Sequence, residues 1–220
     1  MLEFHLKRSG MLIVVSAPSG GGKSTILRTL LKEDASLSYS VSATTRKARE
    51  GEVEGRDYYF MTVEEFKKLI DEDAFFEWAV VHGNYYGTLK REVEAKVSEG
   101  RDVILDIDVQ GSLALKQDYP DAVLVFVLPP SIATLERRLR ARGLDDESTM
   151  QIRLNNARSE LRRSPEYDFV IVNRKLDDTI RSIRTIIDAE RNRSTRLTLR
   201  DALGEVLMAA TASAAPEEGD

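Results

Sequence analysis

The chain has 220 residues, 42% of them hydrophobic, and a formal net charge of −5. That is ample for one core with insertions, and the acidic balance argues against general nucleic-acid binding, which needs a basic surface. The absence of cysteine excludes disulfides, thiol nucleophiles and cysteine–zinc sites, and His5 and His82 alone are too few for a histidine metal cluster. No apolar run is long enough to span a bilayer, and the opening MLEFHLKRSG lacks an apolar signal core, so a soluble cytoplasmic enzyme is expected.

Residues 1–10 read as a lead-in, with Lys7 to Gly10 as turn material. Met11 to Val15 reads as a short buried strand, and Ser16 to Thr25 (SAPSGGGKST) follows directly. Ile26, Leu27, Leu30 and Leu31 then recur at helical spacing. Strand, glycine-rich turn and helix is the setting of a phosphate-binding loop. Its glycines let successive N–H groups curl around phosphate oxygens, and the helix N-terminus adds positive partial charge. Lys23 is placed to reach β- and γ-phosphates and Ser24 to hold Mg²⁺. Ala17 stands where the strict motif has glycine, which a negative φ at that position accommodates.

Alternation around Tyr39 to Ser42 suggests a strand. The stretch from Ser42 to Phe60 carries Arg46, Arg49 and Tyr58. Two guanidiniums and a phenol can hold a dianionic monophosphate through forked, charge-assisted hydrogen bonds. Equally, this can be a solvated basic loop paired with Glu50, Glu52 and Glu54. Thr62-Val-Glu-Glu65 is a capping box that opens a helix. Glu77 follows between Phe76 and Trp78. It either points to water from a strand or sits in a ring-lined slot, where it could accept from N1–H and N2–H₂ of guanine. Gly83 to Gly87 reads as a turn bearing Tyr85 and Tyr86, the latter a candidate phosphate or base contact, and Thr88 as a helix cap.

Val103 to Val109 reads as a core strand ending in Asp106 and Asp108, whose carboxylates share one side. One is expected near magnesium and the other near an acceptor. Ala122 to Leu128 is a further strand, stopped by Pro129-Pro130. Helix, acidic link and helix follow, with Arg138, Arg142 and Arg153 singled out from a run of arginines that resembles a mobile lid. Tyr167 to Asn173 is the last strand and Leu176 to Arg191 an amphipathic helix, which could resume over residues 194–207 before a polar tail expected to be disordered. This order predicts an α/β fold: a P-loop three-layer α/β/α sandwich with a parallel central sheet, an inserted subdomain and a helical lid.

SAPSGGGKST, the run SATTRKAREGE, the pairing of FFEW with GNYYGT, the strand ILDIDVQG and the pattern RLRARG together resemble the guanylate kinase family, in that family's order and across about residues 11–190. The resemblance implies phosphoryl transfer from ATP to GMP with Mg²⁺. It implies an ATP site over Ala17, Pro18, Ser19, Gly20, Gly21, Gly22, Lys23, Ser24 and Thr25, with Asn173 near the adenine. Ser42, Glu77, Thr88 and Asp108 would read the guanine, and Arg46, Arg49, Tyr58 and Tyr86 would hold the GMP phosphate. Lys23, Arg138, Arg142 and Arg153 would be catalytic, and Ser24 with Asp106 would serve the metal. The implied domain spans residues 11–192, with core segments 11–41, 98–135 and 165–192, a GMP-binding insert 42–97, a lid 136–164, and peripheral ends 1–10 and 193–220. ATP and GMP are the expected partners, with no nucleic acid or membrane; the oligomeric state is left open. A non-catalytic module of the same family, or a P-loop kinase for AMP, dTMP or a phosphorylated sugar, are the competing expectations. Neither accounts for an intact loop together with Glu77 and Ser42.

Overall fold

The computed structural model describes residues 5–18, 20–81, 83–141, 147–200 and 205–209. In chain order, β1 (His5–Arg8) leads to β2 (Leu12–Ser16) and α1 (Lys23–Glu33). Then come β3 (Leu37–Tyr39), β4 (Ala43–Thr44), β5 (Tyr59–Phe60), α2 (Val63–Asp71), β6 (Phe75–Val81) and β7 (Asn84–Leu89). Next are α3 (Lys90–Ser98), β8 (Asp102–Leu105), α4 (Val109–Asp118), β9 (Val123–Leu128), α5 (Ile132–Arg140) and α6 (Glu147–Arg162). The chain continues through β10 (Phe169–Val172), α7 (Leu176–Arg191), β11 (Leu197–Arg200) and β12 (Val206–Met208).

Five strands form a parallel sheet in the order β10-β9-β2-β8-β3. Every residue of β2 is buried, as a strand covered on both faces requires. Alternate side chains divide between two cores. Ile13 and Val15 pack with Ile26 and Leu30 of α1 and Ile183 and Ile187 of α7. Leu12 and Val14 face the other way, toward Val93 of α3 and Leu115 of α4. The chain leaves β2 toward β3 on one side, while β8 crosses over to β9 on the other. This reversal opens a crevice at the carboxyl ends of β2 and β8, where ligands of open α/β sheets bind.

A second sheet, β5-β4-β7-β6, has its own small core of Ala43, Phe66, Phe75 and Leu89. Phe66 and Phe75 stack with ring centroids 4.4 Å apart. The expected capping box starts α2: Thr62 Oγ1 accepts from the Glu65 N–H at 3.1 Å, and Glu65 Oε2 accepts from the Thr62 N–H at 2.7 Å. Helices α5 and α6 share a third cluster, with Leu135 and Leu139 against Met150, Leu154 and Ala157.

Several local expectations are corrected. His5–Arg8 is a strand, antiparallel to β11 with His5 opposite Arg200. Residues 194–207 do not continue the preceding helix; a single 3₁₀ turn at Ser194–Arg196 leads into β11. Arg196 is buried there, donating to the Asp121 carbonyl at 2.7 Å. Tyr85 and Tyr86 lie on β7 rather than in a turn, since cross-strand pairing with β6 extends them. Thr88 is likewise a strand residue and caps nothing; Leu89 precedes α3 without a side-chain cap. Strand β8 stops at Leu105, and Asp108 becomes the N-cap of α4. The strand expected at Tyr39 to Ser42 splits into β3 and β4, which join different sheets. Ser19, Arg142 and the polar tail from Ala210 fall outside the described residues.

Candidate active site

The glycine-rich turn leaves β2 and enters α1 through two left-handed residues, Gly20 (φ +85°) and Gly22 (φ +100°). An L side chain is strained at either position. Gly21 lacks positive φ, yet a Cβ there would lie 2.8 Å from the Ala17 Cβ and 2.9 Å from the Pro18 carbonyl oxygen. Asp73 is the one non-glycine residue of positive φ among those described, so Ala17 has the negative φ that admits alanine. Alternating backbone handedness turns successive N–H groups to one side, and the open first turn of α1 adds more. The N-cap, Gly22, supplies no side chain to occupy those donors.

A cavity of about 290 Å³ lies over this loop, lined by Gly20, Gly22, Lys23, Ser24, Thr25 and Asp108 among others. Lys23 Nζ sits 2.5 Å from Asp106 Oδ1 and donates to the Ile107 carbonyl at 3.3 Å. Asp106 therefore holds the lysine where the strand-end expectation placed a carboxylate. From the lid side, Arg138 Nη1 donates to the Gly21 carbonyl at 3.4 Å. Arg153 lies half-buried on α6. Asn173 is buried at the end of β10 and donates to that same Gly21 carbonyl at 3.1 Å. No cluster of three or more metal-ligating His, Asp or Glu groups exists among the described residues. The oxygen donors that could take Mg²⁺ carried in by phosphates are Ser24, which lines the cavity, and Asp106, which pairs with Lys23.

Glu77 projects from β6, and Thr88 on the neighbouring strand donates to its Oε1 at 2.9 Å. Burial pushes the Glu77 carboxyl up from its ordinary range, and Asp108 and Asp106 add to this, while Thr88 and Lys23 oppose it. Asp108 accepts from the Gly111 N–H at 2.8 Å. A Cβ on Gly111 would stand 3.1 Å from the Glu77 Cβ, so α4 and β6 meet closely at this point. A cavity of about 360 Å³ opens beside Glu77, Asp108, Phe76 and Gln110.

Further along the second sheet, Arg46 bonds Glu52 Oε1 at 2.9 Å and lies 5.3 Å over the Tyr58 ring. Tyr86 faces the same guanidinium and meets Tyr58 edge-on at 6.1 Å. The Arg49 backbone N–H donates to Glu52 Oε2 at 2.7 Å while its side chain stays exposed. Arg46 first, then the Arg49 N–H, hold the Glu52 carboxyl below its usual range. Arg46, Tyr58 and Tyr86 converge here, and Arg46 is paired with Glu52. Ser42 is half-buried beside them, its carbonyl accepting from the Tyr59 N–H at 2.9 Å.

Sequence reasoning missed Tyr39, whose hydroxyl donates to Asp106 Oδ2 at 3.4 Å, and Thr179, which bonds Asn173. Neither lies in a motif, and only the fold brings them there.

Main-chain donors gather around one lysine, while a separate half-buried carboxylate faces them across the Asp106–Asp108 turn. That division is the mark of a P-loop kinase, which brings a triphosphate donor and a second ligand together. The family model described as guanylate kinase matches residues 9–190, and the chain belongs to the guanylate kinase family. It is 45% identical over 191 residues to a guanylate kinase of Caldanaerobacter subterraneus subsp. tengcongensis, covering 87% of this chain and 93% of that relative. A guanylate kinase of Maricaulis maris is 50% identical over 189 residues, covering 86% and 87%. The crystal structure of guanylate kinase from Anaplasma phagocytophilum superposes with a TM-score of 0.67 at 36% identity, covering 88% of this chain and 92% of that one.

Proposed function

We infer that this chain transfers the γ-phosphoryl group of ATP to GMP, giving ADP and GDP. The amides of residues 20–25 bind the donor phosphates, and Lys23 leaves Asp106 to neutralise charge on the migrating group. Ser24 and Asp106 would hold Mg²⁺, which would supply neutralisation of the donor's phosphate charge. Arg138, Arg142 and Arg153 arrive from the 136–164 lid and stabilise charge in the transition state. The 42–97 insert carries the acceptor: Arg46 and Arg49 with Tyr58 and Tyr86 hold its phosphate, and Ser42, Glu77, Thr88 and Asp108 select its base. No covalent intermediate is needed, because alignment and charge neutralisation account for phosphoryl transfer. Closure of lid and insert keeps water from the donor. Among the described residues no helix is long and apolar enough to cross a membrane. A cytoplasmic place in purine nucleotide metabolism follows from this reading.

The observation that carries it is Glu77, whose Oε1 accepts from Thr88 while burial disfavours its charge. A carboxylate so placed gains from donors that replace lost water. Guanine offers two adjacent N–H donors; adenine does not, and would leave the carboxylate unpaired. Glu77→Gln is expected to raise the KM for GMP by about two orders of magnitude and leave ATP binding intact. Steady-state kinetics with GMP, AMP and dTMP as acceptors check this, and wild-type GMP kinetics in the variant would refute the guanine readout.

A further inference from the structure

We propose that Asn173 and Thr179 are a positioning pair that sets the Gly21–Gly22 peptide of the phosphate loop for the donor nucleotide. The inference rests on the donor-site reading above. It gives Asn173 a different role from the adenine contact that the family resemblance implies.

Both side chains are buried, at 6% and 2% exposure, so neither bonds freely to water. Asn173 Nδ2 donates to the Gly21 carbonyl at 3.1 Å. An acceptor at that point requires the amide NH₂ there, which turns Oδ1 the other way. Thr179 Oγ1 meets Oδ1 at 3.0 Å and shares its proton with the Lys175 carbonyl, also at 3.0 Å. Both ends of the Asn173 amide are thereby committed to protein groups. A Cβ on Gly22 would stand 3.0 Å from the same Nδ2, so the amide lies directly against the loop.

The consequence follows from peptide geometry. Peptide bonds between described residues are trans, so the Gly21 carbonyl and the Gly22 N–H point in opposite directions. Drawing the carbonyl down onto Asn173 aims the Gly22 N–H away from it, on the side where Gly22 lines the cavity. Thr179 removes the remaining freedom of the amide by fixing its flip. The loop therefore presents this donor before the nucleotide arrives, and less ordering is needed on binding. The glycines make the loop's shape possible, and the α7 threonine selects one orientation of it.

The test compares Thr179→Val, which keeps the shape and loses the hydroxyl, with Thr179→Ser, which keeps the hydroxyl. Affinities for ADP and for GMP are measured separately by isothermal titration calorimetry, without turnover. Thr179→Val is expected to weaken ADP binding about fivefold to tenfold, the range of one lost hydrogen bond, with GMP affinity within about twofold of wild type. Thr179→Ser is expected to restore ADP affinity. Should Thr179→Val fail to fold, Thr179→Ala carries the same test: it also lacks the hydroxyl, and ADP binding alone should weaken. Unchanged ADP affinity, or equal weakening for both ligands, overturns the proposal. A wild type that binds GMP but not ADP overturns the donor-site reading and the proposal with it.

Discussion

The donor and acceptor halves of the site are built differently. The phosphate loop meets the buried Asn173, itself bonded by Thr179, and follows a β2 strand with no exposed residue. The acceptor half rests on a short four-stranded sheet with four fully buried apolar residues, and its arginine is paired with the partly exposed Glu52. Phosphate recognition by backbone needs peptides fixed in place, because amides cannot seek their ligand. Recognition by guanidinium tolerates mobility, because a long side chain can exchange a carboxylate for a phosphate when one arrives. On the proposed reading, main-chain binding falls where the loop has a buried partner, and side-chain binding where the arginine has a partly exposed one.

The sharpest way to break this contrast is Lys23→Met, which removes the charge that leaves Asp106 for the migrating group. It is expected to lower kcat by about a thousandfold with little change in GMP affinity, measured by coupled assay and calorimetry. Next is Phe66→Ala, which empties the centre of the acceptor half's core. A loss of about 3–5 kcal/mol is expected on denaturation, with ADP binding retained if the two halves are energetically separate. Arg46→Lys should be milder, raising the KM for GMP about tenfold, because an ammonium cannot form the forked contact or stack on Tyr58.

The smallest effect concerns pH. The folded-state pKa of Glu77 is raised, so the charged form is disfavoured in the native chain. Its stabilising contribution is complete below the ordinary glutamate range and is lost as pH rises through the raised value. Glu77→Gln should therefore be slightly more heat-stable than wild type at neutral pH without nucleotide, and no more stable at pH 4. Thermal melts at the two pH values check this. Wild-type kcat/KM for GMP should show an acid limb above the ordinary carboxylate range, and the variant should lose it.

Features with a local cause were readable in advance. The phosphate loop needs glycines at fixed offsets, the α2 capping box needs Thr62 and Glu65 three residues apart, and α7 repeats isoleucines on one face. Each is a property of a few neighbouring residues, so spacing alone revealed it. The grouping of Arg46, Tyr58 and Tyr86 was partly legible, because residue chemistry suggested it and the β4–β7 pairing completed it.

What the residues alone determined, then, is the order of the strands and helices of the parallel core and the chemistry of the loop. Tertiary structure decided which strands the ends form, since β1 and β11 satisfy one another's backbone groups only across nearly the whole chain. It also decided that Thr88 faces Glu77 instead of capping α3, that Asp106 holds Lys23, and that a threonine on α7 bonds the Asn173 that touches the phosphate loop. Those outcomes depend on which distant groups must share hydrogen bonds once water is excluded, and no short window of sequence contains both partners.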